Sequence, residues 1–401
     1  MIILGIESSC DETAAAILKD GKLLSNVVVS QIDIFKAYGG VIPEVAARSH
    51  LEAILPVIDQ ALEDAKTTWN DIDCIAVTHT PGLLGSLLIG TLTARTLAIL
   101  HNKPLYAVHH LKSHIYSNWL VDASCSGFST NPHEPAIPCE GFASSSTMRR
   151  DSPVYVREHA QNPNTESRAK RTRTKPEREA SLPKFPLLAL VISGGHTQII
   201  RMTTHNKFNI IGTTLDDAVG ECFDKIAKIL GLPYPGGPSI ASAAKTGNPE
   251  KYHFPHPKTE NPLDFSFSGL KTAVLRTVQK ECGVGLNHPS HDLKNLLTSE
   301  QIADFAASFQ KTAIDILLEK LRLAYKQYPD TKSIVFAGGV SANKELRIKA
   351  KDKFSNSYFP DPSFSGDNAA MVAMAAYWEI REGVKPTDPY KLTLAPRSNL
   401  C

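Results

Sequence analysis

No Cys-x-x-Cys pair occurs in this chain, and its seven cysteines (Cys10, Cys74, Cys125, Cys139, Cys222, Cys282 and Cys401) form no even framework. That scatter argues against a disulfide-stapled scaffold and suits a reducing cytosol. No apolar run approaches the roughly 18 residues that would span a bilayer, so no helical membrane segment is expected. Charge of one sign is also missing: 43 Lys+Arg against 41 Asp+Glu leave +2. So small a net charge excludes a nucleic-acid partner recruited by global electrostatics, and any basic site must be local. No basic leader precedes the first apolar strand, Ile2 to Ile6, and the expectation is a cytoplasmic protein. Neither the Walker phosphate loop nor the dinucleotide fingerprint is present.

What is present is enough for more than one core. A chain of 401 residues with 42% hydrophobic residues exceeds the usual single-core size, so two lobes are expected. Between about Asp122 and Pro183 the composition turns to Ser, Pro, Thr, Asn and Arg, without any apolar period. Such a stretch cannot bury enough apolar surface to offset its ordering entropy, and it reads as an insertion without regular structure. Its basic run, Arg168 to Arg178, is the densest positive charge in the chain: either a passive loop or a tether for RNA phosphates. The expected division is 1–121, the insertion 122–183, and 184–401, with a helix at 366–381 packing back toward the first lobe's histidines.

The two halves open alike. Strands are expected at 2–7, 14–18 and 22–30, then at 187–192, 197–203 and 207–214, each set with a polar or glycine-rich first hairpin. Helices follow at 43–65 and 85–101 in the first half, and at 216–230 and 299–327 in the second. Later strands at 72–78, 105–108 and 332–336 make each half a mixed α/β unit. A duplicated β-β-β-α-β-α unit predicts an α/β protein of two lobes closing on a phosphate-bearing ligand.

Three Gly-rich turns support a phosphate ligand: Ser193-Gly194-Gly195-His196, Pro235-Gly236-Gly237-Pro238, and Ala337-Gly338-Gly339 leading into a helix with Ser341 as its expected cap. Glycine lets backbone approach phosphate closely, and a helix N-terminus adds favourable partial charge. Side chains added at Gly194 or Gly338 are expected to block such a ligand without unfolding the protein.

His110 and His114 stand four apart in a segment, 109–121, expected to be helical. Both imidazoles then project from one face and can hold one ion. His109 is the decoy, because five residues to His114 is about 140° around a helix. A distant carboxylate, Asp367 in Ser365-Gly366-Asp367-Asn368, would complete a two-His, one-carboxylate set with open metal positions.

These segments carry a resemblance. Gly5-Ile-Glu-Ser-Ser-Cys-Asp-Glu-Thr13, Gly39 to Glu44 with Arg48 to Glu52, His110 to His114, and Leu190-Val-Ile-Ser-Gly-Gly-His-Thr197 follow one another in order. Gly220 to Lys225, Tyr234 to Pro238, Asp264 to Lys271, Gly338 to Asn343 and Asp367 to Met371 complete the series. Together they resemble the tRNA adenosine threonylcarbamoyltransferase family, long called O-sialoglycoprotein endopeptidases, a branch of the actin/Hsp70/sugar-kinase ATPase fold. The chain departs from the family at 122–183, at Thr80 where Gly is usual, and at Ala241 where many members carry an Asp that touches substrate.

The resemblance implies one metal per subunit, usually iron, with zinc or another divalent ion as the alternative, on His110, His114 and Asp367. It implies an adenylate against Val191, Ile192, Ser193, Gly194 and Gly195, with Asp224, Gly237 and Asn343 at further contact positions. On the residues alone, Asp224 reads instead as a helix-surface charge paired with Lys228. Asp11 and Glu12 match acidic residues near the reacting centre, and either is a candidate base. The implied reaction moves threonylcarbamoyl from threonylcarbamoyl-AMP to N6 of the adenosine 3′ of the anticodon. The implied partners are the tRNA anticodon loop and, as in bacteria, a paralogous dimer partner and a small ATPase. Two rivals stay open: a zinc peptidase, weakened because Leu111 stands where His-Glu-x-x-His needs its Glu, and a sugar-kinase-type ATPase of the same fold.

Overall fold

A computed structural model describes residues 1–120 and 182–396. The expectations for the insertion, including its basic run, fall outside the described residues apart from its last two positions.

The first half builds a sheet from β1 (Ile2–Glu7), β2 (Glu12–Lys19), β3 (Lys22–Ser30), β4 (Cys74–Thr80) and β5 (Leu105–His109), interleaved with α1 (Ile32–Lys36), α2 (Pro43–Asp64) and α3 (Leu84–Leu100). α4 (His110–Tyr116) follows directly. The second half builds β6 (Leu187–Ile192), β7 (Thr197–Thr204), β8 (Lys207–Thr213), α5 (Val219–Ile229), α6 (Gly236–Ala243), α7 (Ser268–Glu281), α8 (Ser299–Gln327), β9 (Ser333–Ala337), α9 (Lys344–Lys353), β10 (Ser357–Tyr358) and α10 (Ala369–Arg381).

Strand order is β3-β2-β1-β4-β5 in one sheet and β8-β7-β6-β9-β10 in the other. In each, the first three strands form an antiparallel meander and the fourth lies parallel to the first. The topology is therefore duplicated, and the two-lobed α/β architecture holds.

Period-two burial explains how the sheets are covered. Leu4 and Ile6 of β1 face α2 and α3 with Ile54, Val57 and Ile58, whereas Ile3 faces the opposite core. In β6, Leu188, Leu190 and Ile192 face α5, α7 and α8, while Leu187, Ala189 and Val191 face that same central core. α10 lies in this central core against the inner face of the first sheet, and α4 packs both on α10 and on β6 and β9 of the second. It approaches β1 closely because Gly5 has no side chain: a Cβ there would stand 2.5 Å from the Ala369 carbonyl oxygen and 3.0 Å from Ala373 Cβ.

Several boundaries differ from the expectations, for local reasons. The helix expected at 109–121 is shorter: His109 still belongs to β5, and the helix tightens into a 3-10 turn at Ser117–Trp119. β2 begins at Glu12, because Glu12 already pairs with Ser30 of β3. The Pro235–Pro238 turn is the start of α6, with Pro235 at the cap position. Asn343, not Ser341, caps α9, its Oδ1 accepting from the N–H groups of Glu345 and Leu346. α10 starts at 369 rather than 366, where Asn368 Oδ1 accepts from Met371 N at 3.0 Å. No helix among the described residues is long and apolar enough to cross a membrane.

The seat of α10 generates a prediction. Gly5→Ala should destabilise the protein by about 1–3 kcal/mol through overpacking, even though alanine suits a strand better than glycine. Urea unfolding measures it, and an unchanged midpoint would show that α10 does not sit this close.

Candidate metal and adenylate site

His110 opens α4 and His114 follows one turn later, which sets their rings 4.6 Å apart, edge to face. Asp367 lies just before the Asn368 cap of α10. The side chain of Asn368 also donates to the carbonyls of Gly366 and Phe364, which pins the backbone around the aspartate. Asp367 Oδ1 stands 3.0 Å from His114 Nε2 and 3.6 Å from His110 Nε2. One ligand atom from each residue lies within 4.8 Å of the others, a cluster able to hold a metal ion.

The donor set fits such an ion. Both histidines are buried, and among the described residues neither ring nitrogen of His114 has a well-aligned hydrogen bond, its one close contact being the 3.0 Å approach of Nε2 to Asp367. A buried imidazole with nitrogens unpaired is costly unless something accepts a lone pair. Two nitrogens and a carboxylate oxygen suit iron or zinc.

Charge is concentrated here. Burial works against ionising Asp367, yet the two imidazoles hold its carboxyl well below the usual range. Burial likewise opposes protonation of His110, but Asp367 and Glu7 outweigh it and push the ring up to about 9. His196 is held neutral: burial, with repulsion from His110 and His114, drives it down to about 4.

The acidic hairpin Asp11–Glu12 adjoins this cluster. Burial raises both carboxyls, Glu12 the further, and the two hydrogen-bond each other beside Asp367. Two neighbouring carboxyls in so buried a place resist double ionisation and titrate as a coupled pair. His50 fixes the hairpin from behind, its ring nitrogens 2.7 Å from Thr13 Oγ1 and 2.9 Å from the Cys10 carbonyl oxygen.

The proposed adenylate contacts divide into two groups. Val191 and Ile192 are fully buried in β6, and Val191 pairs with both Gln198 and Ala337. Their side chains face the cores. The turn Ser193–His196 closes with Ser193 N donating to the His196 carbonyl at 2.8 Å, and a Cβ added at Gly194 or Gly195 would point into open space. Gly237 and Gly339 are equally open. Asp224 is not paired with Lys228 as a surface charge; its Oδ1 accepts from Gly236 N at 2.6 Å and anchors the start of α6. Burial raises it to about 6. The Asn343 side chain is used within the fold, capping α9 and donating to Gln310 Oε1 at 2.8 Å. Gly338 departs from expectation: at φ +86°, its Cβ would stand 2.5 Å from the Ile192 carbonyl, so a side chain there damages the fold directly.

Residues missed in the sequence surround these. Glu7, Ser9 and Thr78 stand behind His110. Glu7 was detectable as a charge closing a wholly apolar strand. Arg347 donates to the Ser341 and Pro360 carbonyls and to Ser365 Oγ, tying the Gly338–Asn343 turn to the segment that carries Asp367. His109 closes β5 opposite Thr80 and takes no part in the cluster.

A duplicated α/β fold with a His/His/Asp cluster beside an acidic hairpin and glycine turns defines a candidate metalloenzyme. Comparison with known proteins makes the assignment specific. The family model for tRNA N6-adenosine threonylcarbamoyltransferase matches residues 22–130 and 166–374. Relatives of that name from Kosmotoga olearia and Bacillus subtilis are 43% and 39% identical, covering 96% of this chain and 95% and 92% of theirs. The relative from Symbiobacterium thermophilum is 41% identical over 96% of this chain and 93% of its own. Among solved structures, the component A of (R)-2-hydroxyglutaryl-CoA dehydratase from Acidaminococcus fermentans covers 95% of this chain and 99% of its own at 14% identity and TM-score 0.45, too distant to carry an argument. The chain belongs to the tRNA N6-adenosine threonylcarbamoyltransferase family, and it is a transferase.

Two predictions follow from the local geometry. Gly338→Ala should cost about 1–3 kcal/mol, whereas Gly194→Ala should stay within about 0.5 kcal/mol of the parent; chemical unfolding separates them. Asp224 supplies a pH dependence. Its folded pKa lies above the unfolded value, so its contribution is present below about pH 4 and is lost as pH rises through about 6. Asp224→Asn still accepts from Gly236 N, and should gain melting temperature relative to the parent on going from about pH 4 to pH 7. A constant difference would mean that Asp224 is solvated.

Proposed function

We propose that the chain transfers the threonylcarbamoyl group of threonylcarbamoyl-AMP to N6 of the adenosine 3′ of the anticodon, in tRNAs reading codons that begin with A, and releases AMP. The convergence of His110, His114 and Asp367 beside the Asp11–Glu12 dyad carries this reading. One iron ion per chain would be held by the three side chains, and such an ion supplies Lewis acidity to a bound carbonyl. Asp11 is the better placed base of the two acids. Burial raises Asp11 less than Glu12, so Asp11 is the readier of the two to ionise and act as base. N6 attacks the carbamoyl carbon, the bond to the phosphate oxygen breaks, and the N6 proton passes to Asp11. The open turns at Gly194–Gly195, Gly237 and Gly339 would receive AMP, with backbone N–H groups on its phosphate. Val191 and Ile192 support that surface from inside, as Asn343 and Asp224 do through their hydrogen bonds.

A peptidase reading loses ground on the same helix, because Leu111 is buried in the central core where a base would be needed. Reliance on a paralogous partner and a small ATPase also belongs to this proposal. Support comes from the apolar stripe left outside on α2 and α3, where Leu51, Leu55, Leu84, Leu88 and Leu92 recur every four residues and are each at least 40% exposed.

Incubation with candidate partners, threonine, bicarbonate, ATP and tRNA should yield threonylcarbamoyladenosine by mass spectrometry. Absence of product with every partner tried would remove the proposal. His110→Ala should lose most bound metal and most transfer, while His109→Ala keeps both. Metal analysis reads the first effect, and equal metal loss in the two variants would contradict the helix-face geometry. Gly194→Val should weaken AMP binding without lowering the unfolding midpoint, and calorimetry reads the affinity.

A further inference from the structure

Glu7 has no exposed surface, and it closes β1 after five residues without a charge. A buried carboxylate is costly unless paired and hydrogen-bonded. Three donors surround this one. Ser9 N donates to Oε1 at 2.6 Å, Thr78 Oγ1 donates to Oε2 at 2.6 Å, and His110 Nδ1 lies 3.3 Å from Oε2. Ser9 Oγ stands 3.2 Å from the same Nδ1. The opposite ring nitrogen, Nε2, is the one that faces Asp367.

We propose that Glu7 is the positioning residue of the metal site: it keeps the His110 proton on Nδ1 and so presents the Nε2 lone pair to the ion. The inference deepens the reading of His110, His114 and Asp367 as metal ligands and rests on it. A carboxylate behind a ligand imidazole fixes ring orientation and tautomer, and raises its basicity toward the ion. The fixing points lie on separate elements: Glu7 ends β1, Thr78 lies in β4, Ser9 is in the hairpin before β2, and His110 begins α4. Rotation of the imidazole would break contacts to two of them at once. His114 offers the contrast, because among the described residues neither ring nitrogen has a well-aligned hydrogen bond and its 3.0 Å contact is to Asp367 itself. Of the two histidines, His110 is the one whose direction the protein sets by hydrogen bonding.

Glu7→Gln keeps size and removes the charge. Titration with Co(II) alone, followed by its visible absorption, should show about 10–100-fold weaker binding than the parent. The same change in a His110→Ala background should have no further effect on Co(II) affinity, since the carboxylate then has no ring to orient. Should Glu7→Gln not fold, Thr78→Val removes one hydrogen bond from the carboxylate and should weaken Co(II) several-fold. Unchanged affinity in a folded Glu7→Gln protein, while His110→Ala loses the ion, would overturn the role of Glu7 and leave the metal site standing. Failure of the parent itself to bind Co(II) would overturn both. A role confined to stability would lower the unfolding midpoint and leave Co(II) affinity at the parent value.

Discussion

The approach of α10 to β1 over Gly5 brings the rest of the site into being. The helix is rich in alanine where it meets the sheet, with Ala369, Ala370, Ala373 and Ala376 fully buried, and a strand glycine lets its backbone come within contact of β1. The same helix packs on the inner face of the first sheet and on α4, which in turn packs on β6 and β9 of the second. Its N-terminus therefore stops beside the N-terminus of α4. One helix start delivers Asp367, the other His110 and His114, from segments far apart in the chain. Two short rigid elements meeting end to end position ligands more sharply than loops do.

Around that meeting point, acids and imidazoles balance one another. Asp367 and Glu7 favour protonated His110, His110 and His114 favour ionised Asp367, and His196 is left neutral by both burial and repulsion. Burial, with Asp367 beside them, disfavours two charges on the Asp11–Glu12 pair and raises both carboxyls. The carboxylates of Asp367 and Glu7 would also favour a cation placed among these groups.

Much of this was legible in the sequence. The meander Ile2 to Ser30 and its counterpart Leu187 to Thr213 show apolar strands broken by polar turns, and α8 matched its expected bounds at both ends because Thr298 and Gln301 form a capping box. The pair His110/His114 followed from helical spacing. What the sequence concealed were pairings between distant segments. Asp224 looked like a surface charge because its partner, Gly236 N, lies in an element that does not exist until α6 forms. Gly338 looked like a ligand-facing glycine because its neighbour, the Ile192 carbonyl, belongs to another strand. Ser341 and Asn343 both suit a cap, and only the geometry of the 3-10 turn at Gly339–Ala342 decides between them.

The central claim is that two imidazoles and one aspartate, from α4 and the start of α10, make a metal centre. X-ray absorption at the iron edge of the iron-loaded protein tests it most directly. The account predicts scattering from two imidazole rings with oxygen completing the shell, and no sulfur. A sulfur shell, or the signature of fewer than two imidazoles, would contradict it.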